Sequence, residues 1–163
     1  MASEQADLTV ALLHWGSEYN ENISKSQEKI RDLMLSNGVD AIIGSHSHLL
    51  QAIEFDETEG TLVAWSLGDF YGDATQAGSN YSVILDLEVT MDNLTGQTAI
   101  TGYSTTPIYT LRPEQSISGG LRVVQVDKAM ARFESGYVHR MTQEAYDSLS
   151  GALGRIEKRL SGE

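Results

Sequence analysis

The sequence predicts an α/β fold in which a strand–helix–strand unit leads into a mostly antiparallel sheet that a C-terminal helix closes. Two apolar runs, residues 8–13 and 39–43, flank a segment with helical spacing of apolar residues. This order is typical of parallel strands joined by a right-handed crossover. Residues 81–90 alternate between apolar and polar side chains, as a half-buried strand does. Residues 142–160 are apolar at every third or fourth position, which predicts the closing helix.

The first helix carries recognisable signals at both of its ends. Ser24 and Gln27 have the spacing of a capping box, in which each side chain bonds the other residue's backbone N–H. The pair Asn37-Gly38 is a typical stop signal. The strand–helix–strand unit is therefore predicted to cover residues 8–44.

The middle of the chain is predicted to form an antiparallel sheet over residues 49–126. An acidic turn at residues 56–60 indicates a hairpin between its first two strands. The predicted strands cover residues 49–55, 61–65, 81–90, 97–104, 108–111 and 121–125, with a polar loop at 113–120.

The composition is that of a globular protein and excludes several classes of function. With 40% hydrophobic and 21% charged residues, the 163-residue chain is predicted to form one domain, residues 1–163. The net charge of −12 argues against nucleic acid as a partner, because such proteins need a basic surface. Cysteine is absent, so a metal would need His, carboxylate, amide or backbone ligands. Neither a secretion signal nor a membrane anchor is predicted in this chain.

Three of the four histidines follow the two apolar runs of the strand–helix–strand unit. His14 ends the first run, and His46 and His48 come directly after the second. The carboxyl ends of neighbouring parallel strands open on one edge of a sheet, so we expect the three side chains to converge. If the second segment is extended, His46 and His48 also face the same side. Three converging neutral imidazoles predict a metal site, whereas the alternative is a set of ordinary polar loop residues.

The residues after His14 add further candidates. Gly16 would allow the backbone to turn tightly after the strand. Glu18 is either a partner that orients an imidazole or a general base, or else an ordinary solvated side chain. We interpret Trp15 as a packing residue, in preference to a side chain on which a ligand stacks.

A second group of candidates ends the predicted hairpin. The segment Ser66-Leu67-Gly68-Asp69 contains small residues that favour close backbone approach. Asp69 either lines the site and bonds a ligand histidine, or bonds its own backbone within a turn.

Three motifs together resemble the poly-γ-glutamate capsule-synthesis proteins of the CapA type. The resemblance covers residues 8–72 by motif and, more loosely, the strands to about residue 126. The motifs are His14-Trp15-Gly16-x-Glu18-Tyr19, then Gly44-x-His46-x-His48 followed by Gln51 and Glu54, then Ser66-Leu67-Gly68-x-Phe70.

The resemblance implies a fold and a metal centre. The family looks like a variant of the calcineurin-like metallophosphoesterases, so this chain would form about half of a two-sheet sandwich around two metals. His14 and His46 would bind one divalent metal, Zn or Mn, and His48 the other. Trp15, Gly16, Gln51, Ser66 and Asp69 would support the metal ligands or contact substrate.

The chain departs from the family pattern in three ways. Ser47 replaces the usual proline between the paired histidines, and Asp69 replaces the usual asparagine. The family's amino-terminal motifs, which would supply Asp, Asn and further His ligands, have no counterpart here. A two-metal centre is therefore expected only together with that missing amino-terminal half, and this chain alone is expected to be inactive.

The function implied by the resemblance is capsule or poly-γ-glutamate biosynthesis. If the whole protein is catalytic, the expected reaction is metal-dependent hydrolysis of a phosphoester. His14 and Glu18 are the candidate catalytic residues for proton transfer. The alternatives are a non-catalytic scaffold domain of a polymer synthesis or export complex, and a peptidase or amidase acting on the γ-linked polymer.

The resemblance also implies a place and partners. Family members are bacterial cell-surface proteins with a membrane anchor, so the whole protein is expected there. The expected partners are the missing amino-terminal half and a membrane polymer-synthase complex. A homodimer through exposed sheet surface is a further expectation, because half of a sandwich leaves apolar surface uncovered.

Overall fold

The computed structural model describes residues 5–72, 75–117, 119–137 and 141–162, and it confirms the predicted α/β class. The described chain contains two sheets and three α-helices. The first sheet has the order β1-β2-β4-β3, and the second has the order β5-β6-β7. The elements are β1 (Val10–His14), α1 (Lys25–Ser36), β2 (Ala41–Ser45), β3 (Ile53–Asp56), β4 (Thr61–Ala64), β5 (Tyr81–Met91), β6 (Thr98–Leu111), β7 (Arg122–Gln125), α2 (Val126–Glu134) and α3 (Gln143–Leu160).

The strand–helix–strand unit forms as the sequence predicts. Strands β1 and β2 are parallel, with Val10 opposite Ala41 and His14 opposite Ser45. Helix α1 begins after Ser24, and the capping box with Gln27 is present in both directions, at 3.0 and 3.2 Å. These local bonds fix where the crossover helix starts.

The hairpin joins the first sheet, which corrects the prediction of one antiparallel sheet over residues 49–126. Strand β3 pairs antiparallel with β4, but β4 also pairs parallel with β2. Leu62 and Val63 of β4 are 0% and 3% exposed, as expected for a strand with a neighbour on each side and covered faces. The acidic turn predicts the pairing of β3 with β4 but does not identify a second partner for β4.

The second sheet is antiparallel and contains one strand where two were predicted. Strand β6 runs without a break through Pro107, which had separated the predicted strands 97–104 and 108–111. Proline removes a backbone donor, but β7 pairs only with residues from Ile108 onward. Pro107 therefore lies outside the pairing with β7, while it stays in register opposite Val83 of β5. Helix α2 was not predicted, and it follows β7 directly with no side-chain cap at Gln125.

The inner strands of the first sheet, β2 and β4, are covered on both faces. Ala41, Leu62 and Ala64 belong to a core shared with the second sheet and with α2 and α3. Ile42 and Val63 point to the opposite face and pack with Trp15 and Trp65 beside α1. Because β1 and β2 are parallel, their carboxyl ends lie at one edge of this layer. The half-sandwich relationship to metallophosphoesterases stays a prediction.

Candidate functional site

Two of the predicted site histidines lie together at the ends of β1 and β2. His14 is the last residue of β1, and His46 follows the end of β2. Their imidazole rings have centroids 4.3 Å apart and are tilted by 44°. The Ser45 hydroxyl lies 3.4 Å from Nδ1 of His14. The parallel pairing of the two strands thus brings together residues that are far apart in sequence.

His48 is held by a different set of side chains. Its Nδ1 lies 2.9 and 3.1 Å from the two carboxylate oxygens of Asp69. Its Nε2 lies 3.9 Å from Oε1 of Glu18, and its ring stacks on Tyr19 at 5.1 Å. Because a carboxylate accepts hydrogen bonds, the neutral imidazole carries its proton on Nδ1 and keeps a lone pair on Nε2.

The predicted site residues thus form two sets, His14 with His46 and His48 with Glu18 and Asp69. Across residues 5–72, 75–117, 119–137 and 141–162, no three His, Asp or Glu side chains are grouped around a common metal position. Binding of a metal by His14, His46 and His48 therefore stays a prediction.

The segment that carries His46 and His48 is not extended, which corrects the sequence-based expectation. Strand β2 ends at Ser45, and the φ angles of His46 and His48 are +99° and +61°. Few residues other than glycine adopt positive φ, and such residues concentrate at functional sites because the surrounding structure must hold them there. The direction of the two imidazoles is set by this bend and not by strand alternation.

Hydrogen bonds hold the bend in place. Tyr19, itself at a φ of +54°, donates its backbone N–H to the carbonyl oxygen of Ser47 at 2.8 Å. Ser47 is 2% exposed, and its hydroxyl donates to the carbonyl oxygen of Leu49 at 2.9 Å. The loop after β1 and the loop after β2 are therefore joined through their backbones.

Trp15 packs beneath the site, in agreement with its interpretation from sequence. It is 7% exposed, stacks on Trp65 at 5.2 Å, and donates its indole N–H to the carbonyl oxygen of Trp65 at 2.9 Å. Gly44 makes this contact possible, because a Cβ there would lie 2.0 Å from the same carbonyl oxygen. The glycine permits β2 and β4 to close over the tryptophan.

Gly16 has the tight turn that the sequence predicts. Its φ is +85°, and a Cβ would lie 3.1 Å from the side-chain amide of Gln27. The turn therefore rests on the capping box of α1. Glu18, whose side chain is 58% exposed, projects from this loop toward His48.

Gln51 and Ser66 are buried and connect the loops behind the site. Gln51 is 4% exposed, and its side-chain amide donates to the carbonyl oxygen of Asn20 at 3.0 Å. Its backbone N–H donates to the carbonyl oxygen of Ser66 at 2.9 Å. Ser66 is 1% exposed, and its hydroxyl accepts from the N–H of Gly68 at 3.3 Å.

Asp69 is also anchored from the second sheet. The hydroxyl of Ser82, on β5, donates to the carbonyl oxygen of Asp69 at 2.8 Å. This bond links the position of the carboxylate to the sheet on the far side of the core.

Sequence reasoning overlooked a group of side chains that ties α1 to the hairpin. The indole N–H of Trp65 donates to Glu54 at 2.8 Å, and Arg31 donates to the other Glu54 oxygen at 3.2 Å. The Arg31 guanidinium also lies 5.2 Å from the Trp65 ring centroid. Glu54 and Tyr19 were both part of the motifs described from the sequence. No pattern in the sequence indicated that Arg31 would bond Glu54.

The helices of the described residues include none long and apolar enough to cross a membrane.

Known proteins are similar to the part of the chain that contains these histidines. Residues 1–74 match the family described as bacterial capsule synthesis protein PGA_cap. The chain is 38% identical over 72 residues to a PGA biosynthesis protein CapA of Bacillus subtilis (strain 168), a match covering 44% of the chain and 18% of the relative. It is 41% identical over 68 residues to a capsule biosynthesis protein CapA of Bacillus anthracis, covering 42% of the chain and 16% of the relative. The chain thus matches less than a fifth of each relative's length.

Proposed function

We propose that this chain, which over residues 1–74 is a member of the CapA-type capsule-biosynthesis family, supplies part of a metal site for phosphoester hydrolysis. The observation that carries the proposal is His48, whose Nδ1 lies 2.9 Å from Asp69, together with the separate His14–His46 pair at the ends of β1 and β2. A carboxylate behind an imidazole is the usual arrangement for a metal-binding histidine.

The donor chemistry of the site suits a divalent metal. Asp69 holds His48 with Nε2 available as a ligand atom, and Glu18 brings a carboxylate to within 3.9 Å of that nitrogen. Imidazole and carboxylate ligands favour Zn²⁺ or Mn²⁺. His14 and His46, with ring centroids 4.3 Å apart, would supply the remaining nitrogen ligands.

The proposed roles in hydrolysis follow from the positions of the side chains. When bound, a divalent metal polarises the phosphoryl oxygen and supplies hydroxide near neutral pH. Glu18 is the proposed proton acceptor, because its carboxylate is exposed and faces the site.

Residues from outside this chain are proposed to complete the site. Strand β1 is the outer strand of its sheet, and Leu12 on its core-facing side is 78% exposed. Leu12 lies opposite Ile43, which packs against the core between the two sheets. That core therefore ends at β1. A further protein layer there would cover Leu12 and bring the carboxylate ligands that a two-metal centre needs. Without it, we expect the chain to be inactive.

The biological setting is proposed from the names of the relatives. One is called a PGA biosynthesis protein and the other a capsule biosynthesis protein. The whole protein is therefore proposed to act in synthesis or export of a capsule polymer at the bacterial cell surface, beside a membrane polymer-synthase complex. The net charge of −12 disfavours direct contact with a polyanion unless metal ions bridge the two.

Calorimetric titration of Zn²⁺ and Mn²⁺ into the purified chain tests the metal site. Saturable binding is expected, and the double variant His46→Ala/His48→Ala should abolish it. The matched control is Glu57→Ala/Glu59→Ala in the exposed acidic turn, which removes another group of possible ligands and should leave binding unchanged. Binding that survives the histidine variant and disappears in the control would refute the proposed site.

Hydrolysis itself is tested in a longer protein that includes the family's amino-terminal half. Turnover of a generic phosphodiester that is lost on His46→Ala would support the enzyme. Metal binding without any turnover would instead favour the scaffold alternative.

A further inference from the structure

The last turn of α3 contacts the loop that carries Glu18 and Tyr19. This loop, residues 15–24, joins β1 to α1 and is called the site loop below. Arg159, in the last turn of α3, forms an ion pair with Glu21 of the site loop. Helix α3 lies outside the segment that matches the capsule-synthesis family. The site loop is therefore contacted by a part of the chain that the family match does not cover.

Arg159 is ordered by contacts of its own, apart from the ion pair. Its side chain is 22% exposed, and its guanidinium also interacts with the hydroxyl of Tyr81 on β5. Tyr81 is 4% exposed, and the guanidinium of Arg155, one helical turn earlier, lies 5.6 Å from its ring centroid. Exposed ion pairs contribute little because ordering two long side chains costs entropy. Arg159 is already ordered against the second sheet, so its pair with Glu21 can restrain the site loop.

The end of α3 also lies beside the segment that follows His48. A Cβ on Gly162, just after α3, would lie 3.7 Å from the Cβ of Ala52. Ala52 follows Gln51, whose side-chain amide donates to the carbonyl oxygen of Asn20 in the site loop at 3.0 Å. The end of α3 therefore contacts both of the loops that carry the site residues.

The site loop depends on such tethers because it is exposed. Residues 16–22 are all exposed, so burial of side chains does little to hold the loop in place. Glu21 lies two residues after Tyr19, whose ring stacks on His48 with centroids 5.1 Å apart and planes 19° apart. The backbone N–H of Tyr19 donates to the carbonyl oxygen of Ser47 at 2.8 Å. A restraint at Glu21 therefore acts close to the aromatic ring that covers His48.

We propose that Arg159 is a positioning residue for the site, because its ion pair with Glu21 keeps Tyr19 stacked on His48 and Glu18 beside the same imidazole. The consequence for metal binding rests on the proposed function, whereas the restraint on the site loop is independent of it. Without the ion pair, the loop leaves His48 more often. An ion pair of this kind shifts such an equilibrium by up to about fivefold.

Nuclear magnetic resonance of Arg159→Gln tests the restraint in the absence of metal. The imidazole proton signals of His48 should shift, because the ring current of Tyr19 acts on them only while the two rings are stacked. Solvent exchange of the Tyr19 amide should accelerate by up to about fivefold. The signals of His14 and the exchange of the Ile42 amide, in the core of β2, should match the wild type.

Lys158→Gln is the matched control. It removes one positive charge at the neighbouring exposed position of α3 and should change neither the His48 signals nor the Tyr19 exchange. Glu21→Gln should reproduce the effect of Arg159→Gln, and the double variant should add nothing to either single change. Arg159→Lys, which keeps the charge, should give a smaller effect than Arg159→Gln.

Three results would overturn the proposal. The first is unchanged His48 signals and unchanged Tyr19 exchange in folded Arg159→Gln. The second is an equal effect of Lys158→Gln. The third is an acceleration at Ile42 as large as that at Tyr19, because Arg159 would then stabilise the whole fold and not the site loop.

Zinc titration separates this inference from the proposed function. If the wild type binds Zn²⁺, Arg159→Gln should weaken the affinity by up to about fivefold while Lys158→Gln leaves it unchanged. An unchanged affinity in Arg159→Gln would overturn the role of this residue at the metal site. A wild type that binds no Zn²⁺ would refute the proposed metal site, and the metal-free resonance measurements would still decide whether Arg159 positions the site loop.

Discussion

Nδ1 of His48 lies within hydrogen-bonding distance of both carboxylate oxygens of Asp69, at 2.9 and 3.1 Å. The two residues belong to different loops, and the backbone of Asp69 is tied to β5 through Ser82. The direction of the His48 ring therefore depends on the packing of one sheet against the other. A carboxylate is a stronger acceptor for an imidazole N–H than a neutral amide oxygen would be.

Replacing Asp69 by alanine is expected to weaken metal binding while leaving the ligand atoms in place. His48 would lose the partner that fixes its tautomer and ring orientation, and loss of such a partner typically costs 10–100-fold in metal affinity. Calorimetric titration of Zn²⁺ into the wild type and Asp69→Ala measures the difference.

Asp86→Ala is the matched control for the Asp69 variant. Asp86 is exposed on β5, the strand that anchors Asp69. The Asp86→Ala substitution removes one negative charge, as Asp69→Ala does. Its zinc affinity should equal that of the wild type. If both variants lose affinity equally, then net charge and not the orientation of His48 governs binding.

Replacing His46 by glycine is expected to stabilise the fold and weaken the site. A φ of +99° costs an ordinary residue about 1–3 kcal/mol, while glycine adopts it freely. Glycine also loses about 0.4–1 kcal/mol through the greater freedom of its unfolded chain, so a net gain of about 1 kcal/mol is expected. Urea denaturation measures the gain, and zinc titration should show the loss of a ligand.

His14→Gly separates backbone strain from loss of the imidazole. His14 ends a regular strand, so glycine there should destabilise by about 0.5–1 kcal/mol. Both variants remove one ring of the His14–His46 pair. Equal destabilisation by the two would mean that ring contact, and not the positive φ of His46, dominates the stability of the loop.

The strand–helix–strand unit was predictable because its signals are local. The capping box of Ser24 and Gln27 lies within one helical turn, and the turn at Gly16 needs only its own backbone freedom. The approach of His14 to His46 followed from the parallel pairing alone. Local capping and turn signals, together with the parallel direction of the two strands, were sufficient to predict these features.

The remaining features depend on contacts that no local pattern encodes. Strand β4 lies between β2 and β3 because both of its faces are packed, and its continuous apolar run does not by itself indicate which sheet it joins. His46 and His48 have positive φ in a segment that a hydrogen bond from Tyr19 to Ser47 ties to a separate loop. Extended geometry was the ordinary expectation after a strand, and the tertiary contacts overrode it.

Replacing Gly44 by alanine is expected to disrupt the layer beneath the site. The added Cβ would lie 2.0 Å from the carbonyl oxygen of Trp65 and 2.4 Å from the indole nitrogen of Trp15. Since β2 and β4 would have to separate, we expect destabilisation of about 3 kcal/mol or more. Urea denaturation measures the loss, and near-ultraviolet circular dichroism should report the broken tryptophan stack.

The control for Gly44 is Gly154→Ala in α3. Nothing lies within 4 Å of a Cβ at Gly154, and the residue is inside a helix. Alanine there should stabilise the protein by up to about 1 kcal/mol. Destabilisation by both variants would indicate a general intolerance of glycine replacement and not the specific clash at Gly44.

Replacing Ser24 by alanine is expected to destabilise the N-terminus of α1 and, with it, the loop between β1 and α1. The Ser24 hydroxyl accepts from the N–H of Gln27, and the Gln27 amide in turn lies beneath Gly16. Loss of the cap should cost about 1 kcal/mol in urea denaturation. Because the loop carries Glu18, zinc affinity should fall as well. The control is Ser26→Ala, an exposed position two residues further along the chain. It should change neither the stability nor the free energy of zinc binding by more than about 0.5 kcal/mol. A loss of stability with unchanged zinc affinity would show that the cap supports the helix but does not position the site.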